Sequence, residues 1–322
     1  MYVDQAQALR EMMTHSAQPV ADQAGSPAGQ TPQPPHSART VAIASGKGGV
    51  GKTSLSVNLA VRLASLNRRV VLLDADLGTA NADLLCNLTP RYNIAHVIAG
   101  RCSLERAMAE APGGFHLIAG ASGLAQVAAL NDFQRRKLIG EMERLEKRAD
   151  IILIDTGAGI APNVLSFATS ADQLVVVTTP EPTAITDAYA VIKTAHRQCN
   201  DLDVRVLINM VADELEARSV FERIDGVCRR FLGLTVRYAG YVVRDARVAA
   251  AVRHRRPFVL ESPQCRASGC ISRLAHRMDR LAVEPDRQSL LRRMAGWMAR
   301  RPRPEKNEKS FPAALHTSFI NR

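Results

Sequence analysis

The sequence predicts an α/β chain: a mainly parallel, twisted β-sheet with helices on both faces. Three observations predict it. Short Val/Ile/Leu runs alternate with stretches of helical length. A glycine-rich loop, "SGKGGVGKT", joins one such run to a helical pattern. Three runs end in polar or acidic residues, "VVLLDAD", "IILIDTG" and "VLINM". Near-continuous apolar strands separated by helices need cover on both faces. In such sheets ligands gather beyond the carboxyl ends of the strands.

Taken in order, the strand candidates are Val41–Ser45, Val70–Asp74, Phe115–Ala119, Ile151–Asp155, Leu174–Thr178, Arg205–Asn209 and Val236–Tyr241. Helices fill most of the gaps, among them Asp132–Arg148, Ala184–Gln198 and Glu214–Phe231. After the glycine loop, Leu55, Leu59, Leu63 and Leu66 recur at helical spacing. The parsing is a 1–15 segment able to form a short helix, a Pro/Gly/Gln-rich linker at 16–39, a core at 40–282, a basic amphipathic helix at 283–301 and a tail at 302–322.

Composition narrows the function classes. The 322 residues are 46% hydrophobic but only 4% aromatic, so the core is aliphatic. No apolar run approaches the roughly 20 residues of a membrane span, and the first residues show no apolar signal core. The six scattered cysteines form no zinc set. These features place the chain in the cytoplasm. The net charge of +11 is uneven: Arg218 to Arg280 holds 14 Arg against 5 acidic residues. A basic C-terminal third points to an anionic partner, lipid headgroups or nucleic acid.

The loop frame is Gly46, Gly51, Lys52, Thr53, with Gly48, Gly49, Val50 and Ser54 completing the cradle. Successive inward backbone N–H groups and the helix N-terminus bind phosphate. Lys52 would reach the β- and γ-phosphates of ATP, and the Thr53 hydroxyl would bind Mg²⁺. Asp155, closing "IILID", would reach the same metal. The "DTGAG" that it opens would form a mobile loop near the γ-phosphate. Asp74 and Asp76, two residues apart at another strand end, would hold the metal shell and orient an attacking water.

"KGGVGKT" carries a second lysine, Lys47, and here the chain resembles the deviant Walker A motif of the MinD/ParA class of P-loop ATPases. The resemblance covers about Thr40 to Ala282 and includes the D-A-D segment, "DTGAG" and "TTPEPTAITDAY". It implies that Lys47 reaches the ATP of a second protomer, so that two chains sandwich two ATP molecules in an ATP-dependent homodimer. It makes Asp76 the water-activating residue, Asp74 a metal-side aspartate and Asp155 the Walker B residue. It gives Asn209 the adenine edge, which an amide suits. Gly157 departs from the proline of many relatives and should loosen the switch.

"DQAQALR" and "TTPEPTAITDAYAVIK" resemble the FlhG subfamily, also called FleN or YlxH. That likeness implies control of flagellar number. Asp4, Gln5, Leu9 and Arg10 would engage an FlhF-type GTPase, and a flagellar transcription activator is a further partner. Leu290, Leu291, Met294, Trp297 and Met298 make the apolar side of the basic helix, suited to an anionic inner-membrane surface. The alternative is a ParA-like partition ATPase that holds nucleoid DNA through the basic third.

Overall fold

The structure, a computed structural model, describes residues 38–76, 80–120 and 132–280. Its strands are β1 (Arg39–Ser45), β2 (Val70–Ala75), β3 (Met108–Glu110), β4 (His116–Ile118), β5 (Ile151–Ala158), β6 (Gln173–Thr178), β7 (Asp203–Val211) and β8 (Arg237–Val243). They form one sheet in the order β3-β4-β2-β5-β1-β6-β7-β8. Every pairing is parallel except β3 with β4.

The central strands are buried along their whole length: all seven residues of β1, and all six each of β2 and β6. Burial at consecutive positions, which point to opposite faces, means both faces are covered. The covering helices fall into two packed sets. Lys52–Ala64, Phe258–Glu261 and Arg266–Asp279 touch one another, and Pro182–Gln198 touches both Pro162–Ser170 and Glu214–Leu232. The last helix is tied across the fold, since Arg39 Nη1 donates to the Met278 carbonyl at 2.7 Å. The Val259 N–H donates to Asn58 Oδ1 at 2.9 Å inside the same layer.

The expected α/β architecture is the observed one, with ends shifted by a residue or two except at β5, which runs three residues further. Three features were not expected. β3 is a three-residue antiparallel edge strand with no β-branched residue. Short helices fill Ala82–Leu85, Ile94–Ile98 and Leu104–Ala107. The "DTGAG" segment is not a loop throughout, because β5 continues through Ala158. Gly159 then turns with φ +96 and its N–H donates to the Ser45 carbonyl at 2.8 Å. The segments read as activator helix, amphipathic helix and tail lie outside the described residues, as does the linker except for its last two residues: Ala38 and Arg39 are buried, and Arg39 opens β1, so the core begins before the expected boundary.

Candidate active site

The topology decides the site. β1 sits between β5 and β6, so the loop that leaves it at Ser45 meets the carboxyl end of a different strand on each side. On the β5 side stands Asp155, fully buried. On the β6 side stands Glu181, three residues past the strand end and exposed.

The loop is held by its own geometry. Gly51 takes φ +84, a left-handed turn into the helix that starts at Lys52. A Cβ there would lie 2.6 Å from Asn209 Nδ2, so only glycine gives both the turn and the space. Asn209, at the end of β7, donates to the Val50 carbonyl at 2.8 Å. Its amide therefore braces the loop, a use that the adenine assignment did not anticipate. Val50 is buried and anchors the loop, while Gly48 and Gly49 are exposed and have open space above them. Inside the first helical turn, the Ser54 carbonyl accepts from Asn58 Nδ2 at 2.7 Å.

Lys52 points inward. Its amine donates to Asp155 Oδ1 at 3.2 Å, and Ser56 Oγ donates to the same oxygen at 3.0 Å. Burial pushes the Asp155 carboxyl up, against the opposing pull of the Lys52 charge and the Thr53 and Ser56 hydroxyls. Asp155 Oδ2 is buried without a hydrogen-bond partner among the described residues. An orphaned carboxylate oxygen beside the Thr53 hydroxyl supplies two hard oxygen ligands of the kind Mg²⁺ takes beside water and phosphate oxygens, so the residues fit the metal. Thr53 and Asp155 would hold it, and it would neutralise charge on the phosphates.

Asp74 is the register partner of Asp155 on the adjacent strand β2. It is 1% exposed, and its carboxyl is pushed up to about 7, by burial first and by Asp155 second. Its oxygens accept backbone N–H groups of Asp76 (3.0 Å), Asn81 (3.1 Å) and Ala82 (3.1 Å). Asp74 thus ties Asp76 to the start of the helix Ala82–Leu85. A Cβ on Gly157 would lie 3.5 Å from Asp76 Oδ1, so the second aspartate stands against the segment that follows Asp155.

Lys47 points elsewhere. Its amine donates to Glu181 Oε2 at 2.8 Å and to Thr183 Oγ1 at 3.2 Å. Both ion-pair partners are open to solvent, at 41% and 61% exposure. The hydrogen bond and charge of Lys47 hold the Glu181 carboxyl below its usual range, with Arg244 adding to the effect. Sequence reasoning gave Glu181, Thr183 and Ser56 no role. A carboxylate just beyond a strand adjoining β1 was the available signal.

A family model for an AAA domain matches residues 38–205. The chain is 41% identical to the antiactivator FleN of Pseudomonas aeruginosa, over 76% of this chain and 87% of that one. It is 36% identical to the flagellum site-determining protein YlxH of Helicobacter pylori, over 67% and 73%. The septum site-determining protein MinD of Pyrococcus horikoshii, solved with Mg-ADP, superposes with a TM-score of 0.64 at 25% identity, over 76% of this chain and 97% of that one. This chain is a MinD/ParA-class P-loop ATPase. Its substrate is ATP, taken with Mg²⁺ and hydrolysed to ADP and phosphate. In a member of this class, positioning and charge neutralisation carry phosphoryl transfer. Lys52 is the buried cation of the loop, and Asp76 is a half-buried carboxylate beside Gly157.

Proposed function

We propose that this ATPase is a dimerising switch of FlhG type that sets flagellar number or placement. The observation that carries the reading is the position of Lys47. Its amine sits on the exposed β6 side of the loop and leaves the buried phosphate role to Lys52. A lysine held at the surface by an exposed carboxylate is available to a nucleotide bound by a second protomer. The likeness to proteins named for antiactivation and for flagellum siting supplies the process. Asp76 positions the attacking water, and Thr53, Asp74 and Asp155 form the metal side. Asp4, Gln5, Leu9 and Arg10 meet an FlhF-type GTPase, a flagellar transcription activator is a second target, and residues 283–301 reach the inner membrane.

The test is a sizing column run with ATP. Lys47→Ala should bind ATP yet stay monomeric. Asp76→Ala should bind ATP, dimerise and turn over about a hundredfold more slowly, since only a transition-state contact is lost. A dimer from Lys47→Ala removes the trans role. Removing residues 1–15 should leave both ATP binding and dimerisation intact and abolish stimulation of the partner GTPase.

A further inference from the structure

The last helix, Arg266–Asp279, buries Ala267, Cys270, Ile271, Leu274, Ala275 and Met278. Its opposite side carries Arg273, His276 and Arg277, continued by Arg280, at i, i+3, i+4 and i+7. All four are exposed, and they line one surface cleft in which no acid takes part among the described residues. The row runs about 10 Å at 1.5 Å per residue. The one acid of this helix, Asp279, is engaged elsewhere, by Arg68 Nε at 2.6 Å.

How these cations are held is informative. Arg277 Nη1 donates to the Ala239 carbonyl at 2.8 Å, on edge strand β8. Arg273 Nη2 lies 3.1 Å from Cys270 Sγ, and its guanidinium stands 5.8 Å from the Tyr241 ring centroid. The partners are a carbonyl, a sulfur and a ring. They orient two guanidinium groups and neutralise neither. His276 and Arg280 have no side-chain hydrogen bond or ion pair among the described residues. Like charges at i and i+4 repel along a helix, and an anion opposite them relieves that repulsion.

We infer that this stripe is a face of the folded domain that binds the headgroup phosphates of an anionic membrane. The inference rests on the membrane attachment proposed above and extends it from the following segment to the core. Guanidinium forks suit phosphate oxygens. The stripe ends at Arg280, ten residues before the Leu290–Met298 amphipathic pattern. Among the described residues it offers no amide to read a base edge, so a duplex would be held by its backbone alone, and the amphipathic pattern that follows favours lipid.

The experiment uses the full chain with ATP and vesicles of phosphatidylcholine, with or without phosphatidylglycerol. His276→Glu combined with Arg280→Glu sets two acids against Arg273 and Arg277 and cancels the stripe's charge without breaking a described side-chain contact, and thermal melting checks the fold. Trp297→Asp runs beside it. The stripe variant should lose at least about tenfold in partition onto phosphatidylglycerol vesicles, since the lost Arg280 alone contributes about fivefold and two carboxylates then face the anionic surface. Trp297→Asp should keep weak, salt-sensitive binding that the combined variant lacks. Wild-type partition by the stripe variant overturns the stripe and leaves the tail reading standing. No phosphatidylglycerol preference in the wild-type chain overturns both. Tighter binding to duplex DNA than to these vesicles, lost in the stripe variant, overturns the lipid assignment in favour of nucleic acid.

Discussion

Lys47 and Lys52 lie five residues apart on one loop, and their surroundings differ on the two sides of β1. Lys52 is 7% exposed against an Asp155 that is 0% exposed, whereas the Lys47–Glu181 pair stands in solvent. A buried pair cannot lose one member without stranding the other charge. An exposed pair is screened and parts at little cost. The same residue type is therefore fixed on the β5 side and releasable on the β6 side. The cause is which neighbouring strand supplies the carboxylate, and how deep.

The largest break of this comparison is Lys52→Ala. ATP affinity should vanish in calorimetry, because the phosphates lose their cis cation. The nucleotide-free chain should also lose about 3–5 kcal/mol in urea unfolding, with Asp155 left alone. Undiminished ATP affinity would sink the assignment of the buried side.

Asp74 sharpens the contrast from within the buried side. Its folded pKa of about 7 stands above the ordinary 3.8, so the folded chain holds this proton more tightly than the unfolded chain does. Ionising it costs stability. The stability of the wild type relative to Asp74→Asn should fall as pH rises from about 4 to about 7 and then level off, by up to about 4 kcal/mol. Urea melts across that range, without nucleotide, measure it, and parallel curves for the two proteins would refute it.

The smallest effect belongs to the exposed side. Glu181→Gln should leave thermal unfolding unchanged. It should move the onset of ATP-dependent dimerisation to lower protein concentration by less than about fivefold. A marked loss of folded stability would show that the outer contact is not the weak one.

The central strands were legible because a strand buried on both faces must be apolar at nearly every position, as "TVAIAS" and "IILI" are. The phosphate loop was legible because the left-handed turns of its glycines are local backbone geometry. β3 was not, since "MAE" has no strand composition and exists by pairing with β4. The same limit applies to Asn209 and Glu181. Their partners are Val50, 159 positions away, and Lys47, 134 positions away. Contacts at that range follow from strand order, which periodicity does not encode. The tie made by Asp74 was half legible: two carboxylates near a strand end were visible, but not that one would hold the other's backbone.

Gly46 has a mechanical consequence. A side chain at this position would collide with the backbone carbonyl of Asp187, in the helix Pro182–Gln198. The residue preceding that helix is Glu181, which grips Lys47. The loop is thus fastened to this helix twice, by a steric stop at its first glycine and by an ionic clasp at the next residue. The stop resists only approach, and the clasp resists only separation. A tilt that lifts the helix away opens the clasp while the stop stays idle. For the loop the contact is one-sided: pressing the helix inward meets the stop at Gly46, and lifting it loosens the hold of Glu181 and Thr183 on Lys47.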